Sequence, residues 1–166
     1  MTTPTTTSTT AGADLVTRLM DLWSTPLPAD DGAALAAFRE LYTDPVDVNG
    51  TTMPLTDLLA RARAMQGALS GVDRVVLDRV EAPDKVVVAF RMLGTHTGPL
   101  ATPLGTVPAT GRPVDIRVID VLTLTEGRIS GIVMVADELG NLHRLGALML
   151  APGGGPGTAV SRRTPP

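Results

Sequence analysis

Three ionisable residues fall where strand alternation otherwise places apolar side chains. In residues 117–124, RVIDVLTL, every second position reads Val118, Asp120, Leu122 and Leu124, so a carboxylate shares a face with three aliphatic groups. The even positions of 85–97 run Val86, Val88, Phe90, Met92, Gly94 and His96, and the odd positions of 128–137 run Ile129, Gly131, Val133, Val135 and Asp137. An unpaired buried carboxylate costs several kcal/mol, roughly, even after the protein relaxes around it. Such residues therefore either have hidden partners or line a cavity that uses them. One imidazole and two carboxylates in an apolar pocket would supply general acid–base chemistry.

Structural alternatives stand beside that reading. A buried Asp is commonly bonded to backbone amides or to an arginine, here Arg91 or Arg117. A bulge would reverse a strand's parity and turn Ile119 and Val121 inward instead. Three candidate ligands on separate strands, without a spacing signature, make a weak metal site, and no metal is expected. Ser130 shares a face with Arg128 and lies in no nucleophile elbow, which argues against a Ser-His-Asp triad. His143 falls in the closing helix as a surface or packing residue. Asp44, Asp47 and Asn49 surround a short extended segment where turn and capping roles are the default, with Asn49 also a candidate for the pocket wall. Tyr42 and Trp23 are candidates for core or pocket wall.

The residues that are missing narrow the chemistry further. The chain has no cysteine, which excludes a thiol nucleophile, a disulfide and a thiolate metal site. Its only lysine, Lys85, sits in the turn EAPDK, a poor place for a buried Schiff-base amine. One Trp, one Tyr and two Phe offer little for stacking nucleobases, and a net charge of -3 disfavours nucleic acid as a partner. PGGGPG lies in a tail with no helix after it, so it is not a phosphate loop and no nucleotide cofactor is expected. No apolar run approaches the ~20 residues of a membrane span. The N-terminal MTTPTTTSTT lacks the basic and apolar regions of a secretory signal, and a cytoplasmic protein is expected.

Elements able to position the three residues can be read along the chain. Low complexity at 1–12 and a Pro/Gly-rich run at 151–166 read as disordered tails around a single domain, 13–150. Asp14 is the expected cap of a first helix with Leu15, Leu19, Leu22 and Trp23 in one stripe. Asp31 opens a second helix carrying Leu35, Phe38 and Leu41, and Thr56 caps a third. From Val72 the period drops to two, predicting strands at 73–81, 85–97, 113–125 and 128–137, with a hairpin turn at Glu126-Gly127. Residues 98–112 read as irregular, and ELGNLHRLGALML as a short closing helix. Helices followed by a run of antiparallel strands imply an α+β fold, with a strongly curved sheet wrapped against the helices.

Several stretches are similar to a known family. GTHTGPL at 94–100, the T-G-R turn, the EGRI hairpin and the closing D-x-L-G-x-L-x-x-L-G segment resemble the SnoaL-like polyketide cyclases of the nuclear transport factor two-like superfamily. The resemblance spans about residues 13 to 150 and is strongest in the C-terminal half. It implies a cone-shaped α+β barrel, with a mostly antiparallel sheet curved over N-terminal helices and a deep apolar pocket between them. It implies that Asp137 is the general acid/base of a ring closure and that His96 and Asp120 line the pocket. The expected wall is Val88, Phe90, Met92, Val118, Leu122 and Val135, with Tyr42, Asn49 and Trp23 contributing. It further implies a cofactor-independent cyclase acting on a small polyketide-type molecule, and a homodimer formed through the outer face of the sheet. Arg144 stands where the family usually has Gln. An epoxide-hydrolase-like activity ranks lower, because the stretch where such enzymes carry Arg-x-Asp reads GTHTG here. A non-catalytic, ligand-binding dimeric module of the same fold is the other alternative.

Overall fold

The computed structural model describes residues 8–149. Of the expected tails, 1–12 and 151–166, residues 1–7 and 151–166 lie outside the described residues, whereas 8–12 fall in the first helix. The first helix, α1 (Ser8–Ser24), begins earlier than expected, so Asp14 is an interior residue that approaches Arg18 at 3.8 Å instead of a cap. Helix α2 (Asp31–Leu41) is capped by Asp30, whose Oδ1 accepts the Ala33 N–H at 2.8 Å. Two short strands, β1 (Tyr42–Val48) and β2 (Thr51–Met53), precede α3 (Leu55–Ala68). Thr56 does not cap α3. The helix follows Pro54, and the orphan N–H of Leu55 is accepted by Asp44 Oδ1 from β1 at 3.2 Å.

Long strands follow: β3 (Leu69–Ala82), β4 (Lys85–His96), β7 (Pro113–Thr125) and β8 (Arg128–Ala136). The segment expected to be irregular holds a small separate hairpin, β5 (Leu100–Thr102) with β6 (Gly105–Val107). The closing helix α4 (Glu138–Arg144) is shorter than the apolar pattern suggested. One six-stranded sheet runs in the order β2-β1-β8-β7-β4-β3 and is antiparallel except where β1 lies parallel to β8. The β7–β8 turn is the expected one: Glu126 and Gly127 both have positive φ, 50° and 75°, as a two-residue hairpin turn requires.

All three N-terminal helices pack on one face of this curved sheet. Leu15, Val16, Leu19 and Met20 of α1, Phe38 and Leu41 of α2 and Leu58 and Leu59 of α3 meet Val86, Val88, Phe90, Val114, Ile116, Val118 and Leu122 of the sheet in one core. Among the described residues no helix of the N-terminal group lies on the opposite face, and Val80, Ile119, Val133 and Val135 are exposed. No described helix is long and apolar enough to cross a membrane.

The GTHTG stretch has a packing logic. The N–H groups of Thr97 and Gly98 both donate to the Ala68 carbonyl, at 2.9 and 3.0 Å, pinning the end of β4 to the end of α3. A Cβ on Gly98 would overlap the Gly67 carbonyl oxygen, so no other residue fits without moving backbone.

Candidate active site

A cavity of about 280 Å³ opens between the helices and the sheet, close to the lower end of the range for small-ligand sites. Leu19, Met20 and Trp23 of α1 and Leu58, Arg61 and Met65 of α3 form one wall. Phe90 and Met92 of β4, Ile116, Val118, Asp120 and Leu122 of β7 and Ile132, Met134 and Ala136 of β8 form the other. Tyr42, Arg74 and Glu138 complete the lining. The surface is overwhelmingly apolar, so each polar group in it is conspicuous.

Asp120 is one of them. It is placed by β7 parity between Val118 and Leu122 and is buried, and its Oδ1 has no hydrogen-bond partner. Burial pushes its pKa from the usual 3.8 up to about 6, although the nearby charge of Arg74 pulls the other way. Near neutral pH this carboxyl group therefore exchanges a proton readily.

Tyr42 is held by its neighbours. Trp23 Nε1 donates to the Tyr42 hydroxyl oxygen at 2.8 Å, which leaves the Tyr42 proton available as a donor. Phe38 stacks on the Tyr42 ring at 5.8 Å and meets Trp23 edge-on at 5.7 Å. Burial raises the Tyr42 pKa well above its ordinary value, so the hydroxyl stays protonated. Arg74 projects from β3 and donates to Ser24 Oγ at 3.0 Å. Burial lowers its pKa to about 10, which leaves it cationic at neutral pH.

The residues expected from the sequence separate into two groups. Asp120, Phe90, Met92, Val118, Leu122, Tyr42 and Trp23 line the cavity. Val88, Val135, His96, Asp137 and Asn49 do not. Val88 is fully buried and does not line the cavity, although it pairs with Asp120 across the sheet. Val135 is 65% exposed on the opposite face. The cause is a register shift opposite Thr123/Leu124: Ile129 faces inward, but beyond the shift Ile132, Met134 and Ala136 do so, and the odd residues turn out.

The same shift carries Asp137 away from the cavity. Its Oδ1 accepts the Gly140 N–H at 3.0 Å as the N-cap of α4, and its Oδ2 lies 3.6 Å from Arg144 in a surface cluster with Arg91, Asp115 and Arg117. Asp115 in that cluster is ion-paired to Arg91, whose guanidinium holds its carboxyl below the usual carboxylate range. His96 is fully buried, with Nδ1 3.0 Å from Thr110 Oγ1, and does not line the cavity. Asn49, at φ 52°, bridges β1 to β8 through both halves of its amide, to Met134 O at 3.3 Å and from Met134 N at 2.8 Å. Thus the three ionisable residues singled out by alternation do not converge; only Asp120 reaches the cavity.

Arg74 was not singled out from the sequence. Its signal was present, since it alternates with Val72 and Val76, an arginine on a partly apolar strand face. The inward positions Ile132, Met134 and Ala136 were hidden by the register shift. The helix residues Leu19, Met20, Leu58 and Met65 were legible only as core.

A model of the SnoaL-like polyketide cyclase family matches residues 13–145. Among solved structures, TsrD from Streptomyces laurentii superimposes with a TM-score of 0.70 at 20% identity, covering 84% of this chain and 98% of that one. A provisionally named SnoaL-like polyketide cyclase from a Jannaschia species gives 0.68 at 22% identity, covering 90% and 100%. IdmH from Streptomyces antibioticus, provisionally named a polyketide cyclase, gives 0.63 at 22% identity, covering 81% and 97%. At these identities the likeness is one of fold. No curated protein sequence matches the chain.

Proposed function

Because the chain belongs to the SnoaL-like polyketide cyclase family, we propose that it closes a ring in a polyketide-type intermediate of secondary metabolism, with Asp120 as the acid/base group. The observation that carries this reading is a desolvated carboxyl with a free oxygen and a pKa near 6, set in an otherwise apolar cavity. The cavity folds a flexible chain so that its reacting ends meet, which can remove up to ~7–11 kcal/mol of barrier. Asp120 takes the proton from an acidic carbon between carbonyls. The resulting enolate attacks a second carbonyl of the same molecule, and the proton on Asp120 returns to the new alkoxide oxygen. Tyr42 donates a hydrogen bond to the oxygen on which charge develops. No redox or group-transfer step is needed, so the reaction calls for no cofactor.

The same reading includes a homodimer and a cytoplasmic location. Support for the dimer is the sheet face away from the helices, where, among the described residues, Val80, Ile119, Val133 and Val135 are each about half exposed or more. The test of the reaction is single-turnover conversion of a linear poly-β-carbonyl precursor. Asp120→Asn should lose ~10²–10⁴-fold in rate while still binding the precursor. A rate within about tenfold of wild type, combined with large losses in Phe90→Ala or Met92→Ala, would replace acid/base chemistry by closure templated by shape alone.

A further inference from the structure

Among the described residues Arg74 makes no ion pair, although the charges of Asp120 and Asp73 lie near enough to favour its cationic form. The ion pairs of the described residues engage Arg18, Arg63, Arg79, Arg91 and Arg144, but not Arg74. Its Nη1 has the Ser24 hydroxyl, while Nη2 points at two thioethers, Met65 Sδ at 3.4 Å and Met92 Sδ at 3.5 Å. Thioether sulfur is a weak acceptor, so half of the guanidinium fork is poorly used inside an apolar cavity. Asp120 faces the same cavity with an unpartnered oxygen and does not contact Arg74. Two opposite charges brought out of water for structural reasons gain most by closing into contact. Here they are held apart, one on β3 and the other on β7, with β4 between them.

We propose that Arg74 is an oxyanion subsite: the natural ligand seats a delocalised oxyanion, a carboxylate or the ionised enol of a 1,3-dicarbonyl, on the guanidinium, with its carbon skeleton toward Asp120. This rests on the reading of the cavity as a small-molecule site and narrows the substrate to molecules carrying an acidic oxygen. The planar fork suits two oxygens sharing one charge. Ser24 and the two methionines fix its orientation. With the oxygen held there, the proton that Asp120 moves lies at a neighbouring carbon, and negative charge formed on the oxygen is met by a cation already in place.

The test is calorimetric binding of three probes to the full chain: 2-naphthoate, the neutral ketone 2-acetylnaphthalene, and the enolisable 1,3-diketone benzoylacetone. Wild type should prefer at least one of naphthoate and benzoylacetone over the ketone by about ten- to hundredfold, the worth of a charge-assisted hydrogen bond. Arg74→Met should lose the preference for whichever probe is favoured and keep ketone binding, and Arg74→Lys should keep part of it. Asp120→Asn, which removes the opposing charge, should sharpen it. If naphthoate is preferred and benzoylacetone binds no better than the ketone, the oxyanion is a carboxylate; the reverse order makes it an enolate. Equal affinity of wild type for all three, or a preference that survives Arg74→Met, would overturn the subsite alone. No binding of any probe would overturn the small-molecule reading as well. Circular dichroism checks that each variant folds, and the wild-type comparison stands even if Arg74→Met does not.

Discussion

Asp137 folds its carboxylate back over Gly140, accepting that residue's N–H at 3.0 Å, so the acidic residue of the D-x-L-G segment caps a helix. Glycine leaves room for this cap: a Cβ at position 140 would meet both carboxylate oxygens of Asp137, which would have to move aside. Asp137→Asn keeps an accepting oxygen and should leave turnover within about tenfold of wild type and cost little stability, whereas Asp137→Ala should destabilise by ~1 kcal/mol through the lost cap. Chemical denaturation and single-turnover assays of both variants check this. A loss of ~10²-fold or more in folded Asp137→Asn would return the acid/base role to Asp137.

Stability should depend on pH through Asp120. Its folded-state pKa of about 6 exceeds the ordinary 3.8, so the folded state holds the proton more tightly than the unfolded chain. The wild type therefore loses stability as pH rises from about 4 to about 6, and the loss levels off above that. Asp120→Asn has no charge to bury. Its advantage over wild type should be near zero below pH 4, grow through that window and reach at most about 3 kcal/mol. Thermal melts of both proteins from pH 3.5 to 8 measure it; a constant difference across the range would show that Asp120 is not desolvated.

Gly98→Ala should destabilise by ~1–3 kcal/mol or more, because the added methyl meets the carbonyl of Gly67 and the α3–β4 junction must open. Gly105→Ala is a useful comparison, since its Cβ would meet nothing, although a positive φ of 123° adds backbone strain there. Urea midpoints rank the two. A Gly98→Ala protein as stable as wild type would mean the junction is slack.

The outer sheet face should carry the dimer. Ile119 pairs with Val135, and Val121 with Val133, in neighbouring register across β7 and β8, producing a continuous apolar strip. Val133→Arg should yield a folded monomer by light scattering at micromolar concentration, with the cavity on the other face still binding ligand. A wild type that is already monomeric removes the dimer from the proposed function.

The fold was legible because its signals are long. Strands as long as the thirteen residues of β7, with period two, and helices with apolar stripes leave little ambiguity of type. The site was less legible, for two physical reasons. Alternation fixes a face only while the register holds, and one shift beside Thr123/Leu124 reversed β8, moving Val135 and Asp137 outward and Met134 inward. Sequence also does not show which core residues border open space: Val88 and Phe90 share a strand and a face, but Val88 is fully buried while Phe90 lines the cavity. Asp120 escaped both problems because β7 pairs with β4 without interruption from Pro113 to Thr123.

Four of the chain's seven methionines, Met20, Met65, Met92 and Met134, border the cavity. Each is unbranched and has three rotatable bonds, so the wall can take several shapes at little cost. A wall of this kind discriminates poorly by bulk. Ligands differing by a ring or a methyl group should bind within a narrow range, and selectivity is left to the few rigidly held polar groups. The protein is thereby arranged to be tolerant of carbon skeletons and strict about where their oxygens lie.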